Sequence, residues 1–154
     1  MSEHRAIVSW KRTSPDFLKG KYSREHTWTF DGGATIPASP SPSVVPVPYS
    51  NPAHVDPEEA YVAAISSCHM LTYLYLASQK GFQVDGYHDE AVGVMAKNER
   101  GVLWVSLVTL HPQIAYSGDK LPTPSDEEEL HHKSDEQCFI ANSIKTEVII
   151  AAGE

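Results

Sequence analysis

Between Asp56 and Gly81 lies a segment whose two ends are both marked and whose middle carries no charge. Residues 60–79 (AYVAAISSCHMLTYLYLASQ) contain no Asp, Glu, Lys or Arg. Asp56 is suited to cap a helix, Pro57 to occupy its first position, and Glu58 and Glu59 to sit at its positive end. Lys80 and Gly81 supply a cation and a C-cap glycine at the other end. The chain therefore has to house one long apolar helix. Twenty helical residues span roughly 30 Å, enough to cross a bilayer. Ser66, Ser67, His69, Thr72 and Gln79 weaken that reading, and we expect a helix buried on all sides of a soluble α+β protein, with no membrane contact.

The flanking sequence is strand-like. His4–Arg12 reads as a first strand and His26–Asp31 as a second. Asp31-Gly32-Gly33 turns the chain into a short return strand, Ala34–Ile36. Residues 37–55 contain Pro37, Pro40, Pro42, Pro46, Pro48 and Pro52, a density that opposes both helix and ladder. An extended surface loop is expected there, long enough to lie over a neighbouring surface or a partner chain. After the helix, Phe82–Lys97 returns to strand with Gly86 and Gly93 as kinks or bulges. Asn98–Gly101 is a hairpin turn, and Val102–Ile114 is the longest strand candidate. Tyr116–Pro124 reads as a loop, and a second helix starts near Ser125 with Cys138 in its later turns. Thr146–Ala151 closes the chain as a strand. The order is βββ-α-βββ-α-β, in a single domain over residues 1–154.

A formal charge of −8 argues against nucleic acid as a partner, because phosphate binding needs a basic face. The early charges of MSEHRAIVSWKR leave no apolar signal segment, so a reducing cytoplasm is the expected setting. There a structural disulfide is improbable and a transient catalytic one is allowed. That matters for the only two cysteines, Cys68 and Cys138. Free Cys most often packs as a small buried hydrophobe, and the neighbouring sequence has to overturn that prior.

It does so through a resemblance. DPEEAYVAAISSC, an acidic proline-led helix start with a cysteine ten residues after its glutamate, resembles the first motif of the OsmC/organic hydroperoxide resistance family. Asp56, Pro57, Glu58, Ala63, Ser66 and Cys68 stand where that motif wants them. CFIANSIKTEV, from Cys138 through Asn142 to Val148, is similar to the second motif, and the order of elements agrees. The resemblance implies an OsmC-like fold: antiparallel sheets, a long buried central helix and a second, cysteine-bearing helix, in an intertwined homodimer. It implies a thiol-dependent peroxidase of the oxidative stress response that reduces organic hydroperoxides with no cofactor. Cys68 would be the peroxidatic residue and Cys138 the resolving one. Glu58 and an arginine of the N-terminal hairpin would assist, Arg24 being the better candidate and Arg12 the fallback. A thiol or dithiol, lipoyl-type reductants included, would return the electrons. Phe139 stands where the family usually has proline, His69 where it has an aromatic residue, and the 37–55 loop is long. These departures point to an OsmC-like branch rather than to the hydroperoxide reductases themselves.

The chemistry supports these residue types. The thiolate is the nucleophile, and an unperturbed Cys is mostly thiol at neutral pH. Cys68 lies about three turns into its helix, beyond useful reach of the N-terminal dipole. A fixed cation must then favour the thiolate, and a planar guanidinium held by a carboxylate does this well. Glu58 and Cys68 are roughly 15 Å apart along one helix axis, so they meet only if two helices cross between chains.

Two other readings stay open. Cys68, His69, His131, His132 and Cys138 could bind zinc. Adjacent residues on a helix point about 100° apart, however, which makes both pairs awkward, and His131 and His132 are expected to be exposed. Alternatively, Tyr61, Tyr73 and Tyr75 could line a pocket in a small-molecule-binding or structural dimer module whose thiols are vestigial.

Overall fold

Three antiparallel strands open the chain: β1 (Ala6–Ser9), β2 (His26–Phe30) and β3 (Thr35–Ala38), in the order β1-β2-β3. The computed structural model describes residues 1–151, which cluster into two compact units meeting in sequence at Ala60/Tyr61. The first unit holds this sheet and the proline-rich segment. Pro37 pairs with Thr27, against the expectation that the prolines exclude a ladder. On its other side β3 meets only Val55, through a single parallel bridge at Ala38 in which Pro37 supplies its carbonyl, so the missing N–H is tolerated as at an edge.

The proline-rich segment also differs from the extended loop expected. It closes on itself: Ser39 N–H donates to Val55 O, Val55 N–H to Pro37 O, and Asn51 N–H to Ser39 Oγ at 2.8 Å. Ala38, Ser39 and Ser50 are buried. Side chains and bends thus supply the partners that proline removes from regular structure.

Helix α1 (Pro57–Gln79) begins as its sequence predicts. Glu59 N–H donates to Asp56 Oδ1 at 2.8 Å, and Asp56 N–H donates back to Glu59 Oε1 at 3.2 Å, a reciprocal capping box. It ends at Gly81, whose φ of 83° is the left-handed conformation that glycine adopts without strain.

The second unit contains most of α1 and all later elements: β4 (Gln83–Asp89), β5 (Val92–Lys97), β6 (Leu103–Leu110), β7 (Pro112–Ser117), α2 (Pro124–Gln137) and β8 (Glu147–Ile150). The expected strand Val102–Ile114 is two strands parted at His111, so the order is βββ-α-ββββ-α-β. β4 pairs with β7, while β6 lies between β5 and β8. All pairings are antiparallel except β6 with β8. The long connection through β7 and α2 makes a parallel return possible.

Two apolar clusters make the core of this unit. One contains Tyr73, Ala77, Phe82 and Leu130, and the other contains Ile65, Val108 and Leu110. α1 serves both through Ile65, His69, Tyr73 and Ala77, a buried stripe of four-residue spacing. Each fully buried large side chain in it contributes on the order of 2 kcal/mol. The rest of α1 is not enclosed by its own chain: Leu71 is 60 % and Tyr75 57 % exposed. The α+β class and the helix itself are as expected, but burial on all sides is not. By length and composition α1 could cross a membrane, yet its apolar stripe is packed on the core of this unit.

At Gly93 of β5 the backbone comes close to the helix. A Cβ there would stand 2.6 Å from Val62 Cγ2, so no larger residue fits without a shift.

Candidate functional site

Cys68 sits in the middle of α1, half-buried, and its carbonyl accepts from Thr72 Oγ1 at 2.9 Å. Cys138 is buried and stands one residue past the last turn of α2, as its C-cap rather than within the helix. Its N–H donates to Ser134 O at 2.8 Å, and then its extended backbone ends the helix. The turn at Ala141–Ser143 folds back over it. Ala141 N–H donates to Cys138 Sγ at 3.4 Å, while Asn142 gives both its N–H and its Nδ2 to Cys138 O. Asn142 Nδ2 also reaches Glu136 O at 2.9 Å, so one side chain satisfies two carbonyls at the helix end.

The fold brings the two cysteines together. Burial pushes the Cys138 thiol up to about 11, and the hydrogen bonding and charge of Cys68 beside it push in the same direction. The Ala141 N–H pulls the other way by donating to sulfur.

Arg24 and Glu58 belong to the first unit. Arg24 Nη1 donates to Gly20 O at 3.1 Å and Tyr22 O at 2.6 Å, and its guanidinium lies 3.6 Å from the centroid of the Tyr22 ring. These contacts hold the loop that enters β2. Arg12 is exposed and donates to Ser14 O. Glu58, half-buried in the first turn of α1, is beside Asp56.

The second unit also holds a buried polar cluster that the sequence alone does not assemble. His69 Nε2 and His131 Nδ1 are 3.0 Å apart. His131 is buried, against the expectation of exposure, because it shares the inner face of α2 with Leu130 and Ser134; His132 is exposed. The His131 ring also lies 4.4 Å from Tyr73. Tyr73 and Tyr116 hydroxyls are 2.6 Å apart, and Tyr116 donates to Glu127 Oε2. Asp89 accepts from Ser66 Oγ and from His111 N–H. Burial holds both histidines near a pKa of about 4, against the pull of Asp89, so both are neutral at pH 7. The spacing of His131, Ser134 and Cys138 along one helix face was the signal available for His131.

Among the described residues no group of three or more His, Cys, Asp or Glu is placed to hold a metal ion. Of the three tyrosines, Tyr73 is core, Tyr61 Oη bonds Thr146 Oγ1 at 2.7 Å, and Tyr75 is exposed.

The profile of the OsmC-like protein family matches residues 50–152, both cysteine segments included. The chain belongs to that family. An OsmC-like protein of unknown function from Vibrio cholerae is 54 % identical, with 99 % of each chain covered and a TM-score of 0.96. More distant members show the shared OsmC-like fold. An OsmC-like protein from Mycoplasma pneumoniae has 13 % identity, 98 % and 96 % coverage and a TM-score of 0.72. The organic hydroperoxide resistance protein OhrB of Bacillus subtilis has 17 % identity, 96 % and 97 % coverage and a TM-score of 0.64. No curated protein matches the sequence.

Proposed function

We propose that this OsmC-like protein is a thiol-dependent peroxidase that reduces organic hydroperoxides, with Cys68 as the peroxidatic and Cys138 as the resolving residue. The observation that carries this is the meeting of the only two thiols, seventy residues apart in sequence, one half-buried and the other buried beside it. Family membership, with relatives named for organic hydroperoxide resistance, supports it.

In this reading the Cys68 thiolate attacks one oxygen of the hydroperoxide. The O–O bond breaks, the alkoxide leaves and takes up a proton as the alcohol, and sulfur is oxidised to sulfenic acid. Cys138 sulfur then attacks Cys68 sulfur, an S–S bond forms, and hydroxide leaves with the proton of Cys138 as water. An external dithiol reduces the disulfide by exchange. At neutral pH Cys138 holds its proton, so the two cysteines do not compete for the peroxide.

The active unit is a homodimer in a reducing, cytoplasmic setting. The exposed face of α1, with Leu71 and Tyr75, is the surface a second copy would cover. Glu58 stands ten residues before Cys68 on one straight helix, roughly 15 Å away, so any help it gives goes to the Cys68 of a second copy. Arg24 supplies the cation, with Glu58 orienting it.

Coupled turnover with an alkyl hydroperoxide tests this, comparing a dithiol reductant with a monothiol. Saturable turnover with the dithiol is expected. No consumption with either reductant would return the chain to the reading of a binding or structural module. Light scattering over a wide concentration range should give twice 17.0 kDa, and a fully active monomer would remove the role given to Glu58.

A further inference from the structure

Outside the thiols, the most unusual group in the second unit is the buried histidine pair. It joins the two cysteine-bearing helices. His69 follows Cys68 on α1, and His131 lies seven residues, about two turns, before Cys138 on α2. Among the described residues the His69–His131 contact at 3.0 Å is the one side-chain hydrogen bond between these helices. Both rings are almost wholly enclosed, at 1 % and 4 % exposure. A hydrogen bond in such a site is stronger than one at the surface, and an orphaned partner is costly.

The geometry points to His69 and His131 as positioning residues for disulfide formation: their hydrogen bond holds the end of α2 against α1, so that Cys138 stays within reach of Cys68. The inference rests on the proposed roles of the two thiols. One neutral imidazole donates and the other accepts, an arrangement that a single buried pair meets without a third partner. A proton added to the accepting nitrogen removes the acceptor, and a second proton opposes the first. The groups facing the pair are Asp89 at the end of β4, whose charge opposes the effect, and the ring of Tyr73 on α1, against which Tyr87 of β4 packs edge-on. Tyr116 on β7 and Glu127 on α2 lie beyond Tyr73 along its hydrogen-bond chain. None of these tyrosines ionises at working pH, since burial raises all three.

The rate of disulfide formation in the full-length protein tests this, with either cumene hydroperoxide or diamide as oxidant. Diamide accepts two electrons and two protons from a thiol pair and needs no peroxidase, so its arm reads the positioning alone. His131→Leu should slow the disulfide about tenfold or more in both arms, the scale of one lost buried hydrogen bond. Labelling of the Cys68 sulfenic acid by dimedone should proceed at the wild-type rate. His131→Asn, whose amide can take the place of Nδ1, should keep the neutral-pH rate and lose the slowing expected of the wild type as pH falls through about 4. Wild-type disulfide rates in His131→Leu, or equal slowing in His131→Asn and His131→Leu, would overturn the inference. If His131→Leu does not fold, the double variant His69→Gln/His131→Asn decides through its pH profile, and acid slowing as steep as that of the wild type overturns it. A wild-type protein that forms the disulfide with diamide but not with hydroperoxide would refute the peroxidase reading and leave the positioning intact.

Discussion

Cys68 and Cys138 are neighbours in space, but the chain has built their surroundings in different ways. Cys68 stands inside an unbroken helix, half-buried, with its backbone hydrogen bonds supplied by the helix and by Thr72. Cys138 stands where a helix stops, buried, with a folded-back turn giving it one amide at sulfur and two donors at its carbonyl. A rigid helix fixes one sulfur and leaves it accessible. A helix end and a turn can move the other by small backbone changes, as a resolving cysteine must when it forms an S–S bond. In the proposed mechanism this difference supports one order of events: the reachable thiol meets the oxidant, and the enclosed thiol, held protonated, acts second.

The sharpest way to break this asymmetry is to remove each sulfur in turn. Cys68→Ser should lower hydroperoxide consumption by about three orders of magnitude or more, since nucleophilic attack is lost altogether. Cys138→Ser should still consume one equivalent, then stall as a dimedone-reactive sulfenic acid that excess peroxide overoxidises. If the two variants exchange these behaviours, the assignment is reversed.

Acid probes the histidines between the helices that carry the two thiols. An unfolded His titrates near 6.5, whereas His69 and His131 are held near 4 by burial. The unfolded chain therefore binds protons first as pH falls. Stability is fully present above about pH 6.5 and is lost on the way down to about pH 4, by on the order of 3 kcal/mol for each histidine. Urea denaturation at several pH values reads this directly. His69→Gln/His131→Asn should flatten the profile over that interval.

Gly93→Ala tests the seating of the Cys68 helix alone. The added methyl would meet Val62 Cγ2 at 2.6 Å, and a β-branched side chain in a helix has little rotamer freedom to escape. A loss of about 1–3 kcal/mol is expected by thermal or chemical denaturation. The turn around Cys138 should keep its hydrogen-exchange protection relative to the rest of the fold. The smallest effect should come from Arg24→Ala, which we expect to slow peroxide reduction about tenfold or more by removing a fixed cation. Arg24→Lys should restore part of it, because a point charge cannot reproduce the fork. Loss in Arg12→Ala with a silent Arg24→Ala would move the role to Arg12.

Local chemistry made the ends of α1 readable. Asp56, Pro57, Lys80 and Gly81 each act within a few residues of their own position, and the structure shows the capping box and the left-handed glycine. The cysteines were readable as motif positions. His131 was not, because its burial depends on α1 and Tyr73, which lie more than fifty residues away in sequence. Asp89 is similar: its partners, Ser66 and His111, are each more than twenty residues distant. The parallel pairing of β8 with β6 also escapes a reading by strand order, since nothing in EVII distinguishes a parallel from an antiparallel neighbour. The self-closed proline-rich segment was missed for another reason. Proline density argues against regular ladders but says nothing of the serine and asparagine side chains that replace them.

Intact-mass and peptide mapping of the wild-type protein after one equivalent of cumene hydroperoxide tests the central claim most directly. The account predicts the loss of two hydrogens per chain and one cross-linked peptide joining Cys68 to Cys138 within a chain. Two free thiols after excess hydroperoxide would contradict it.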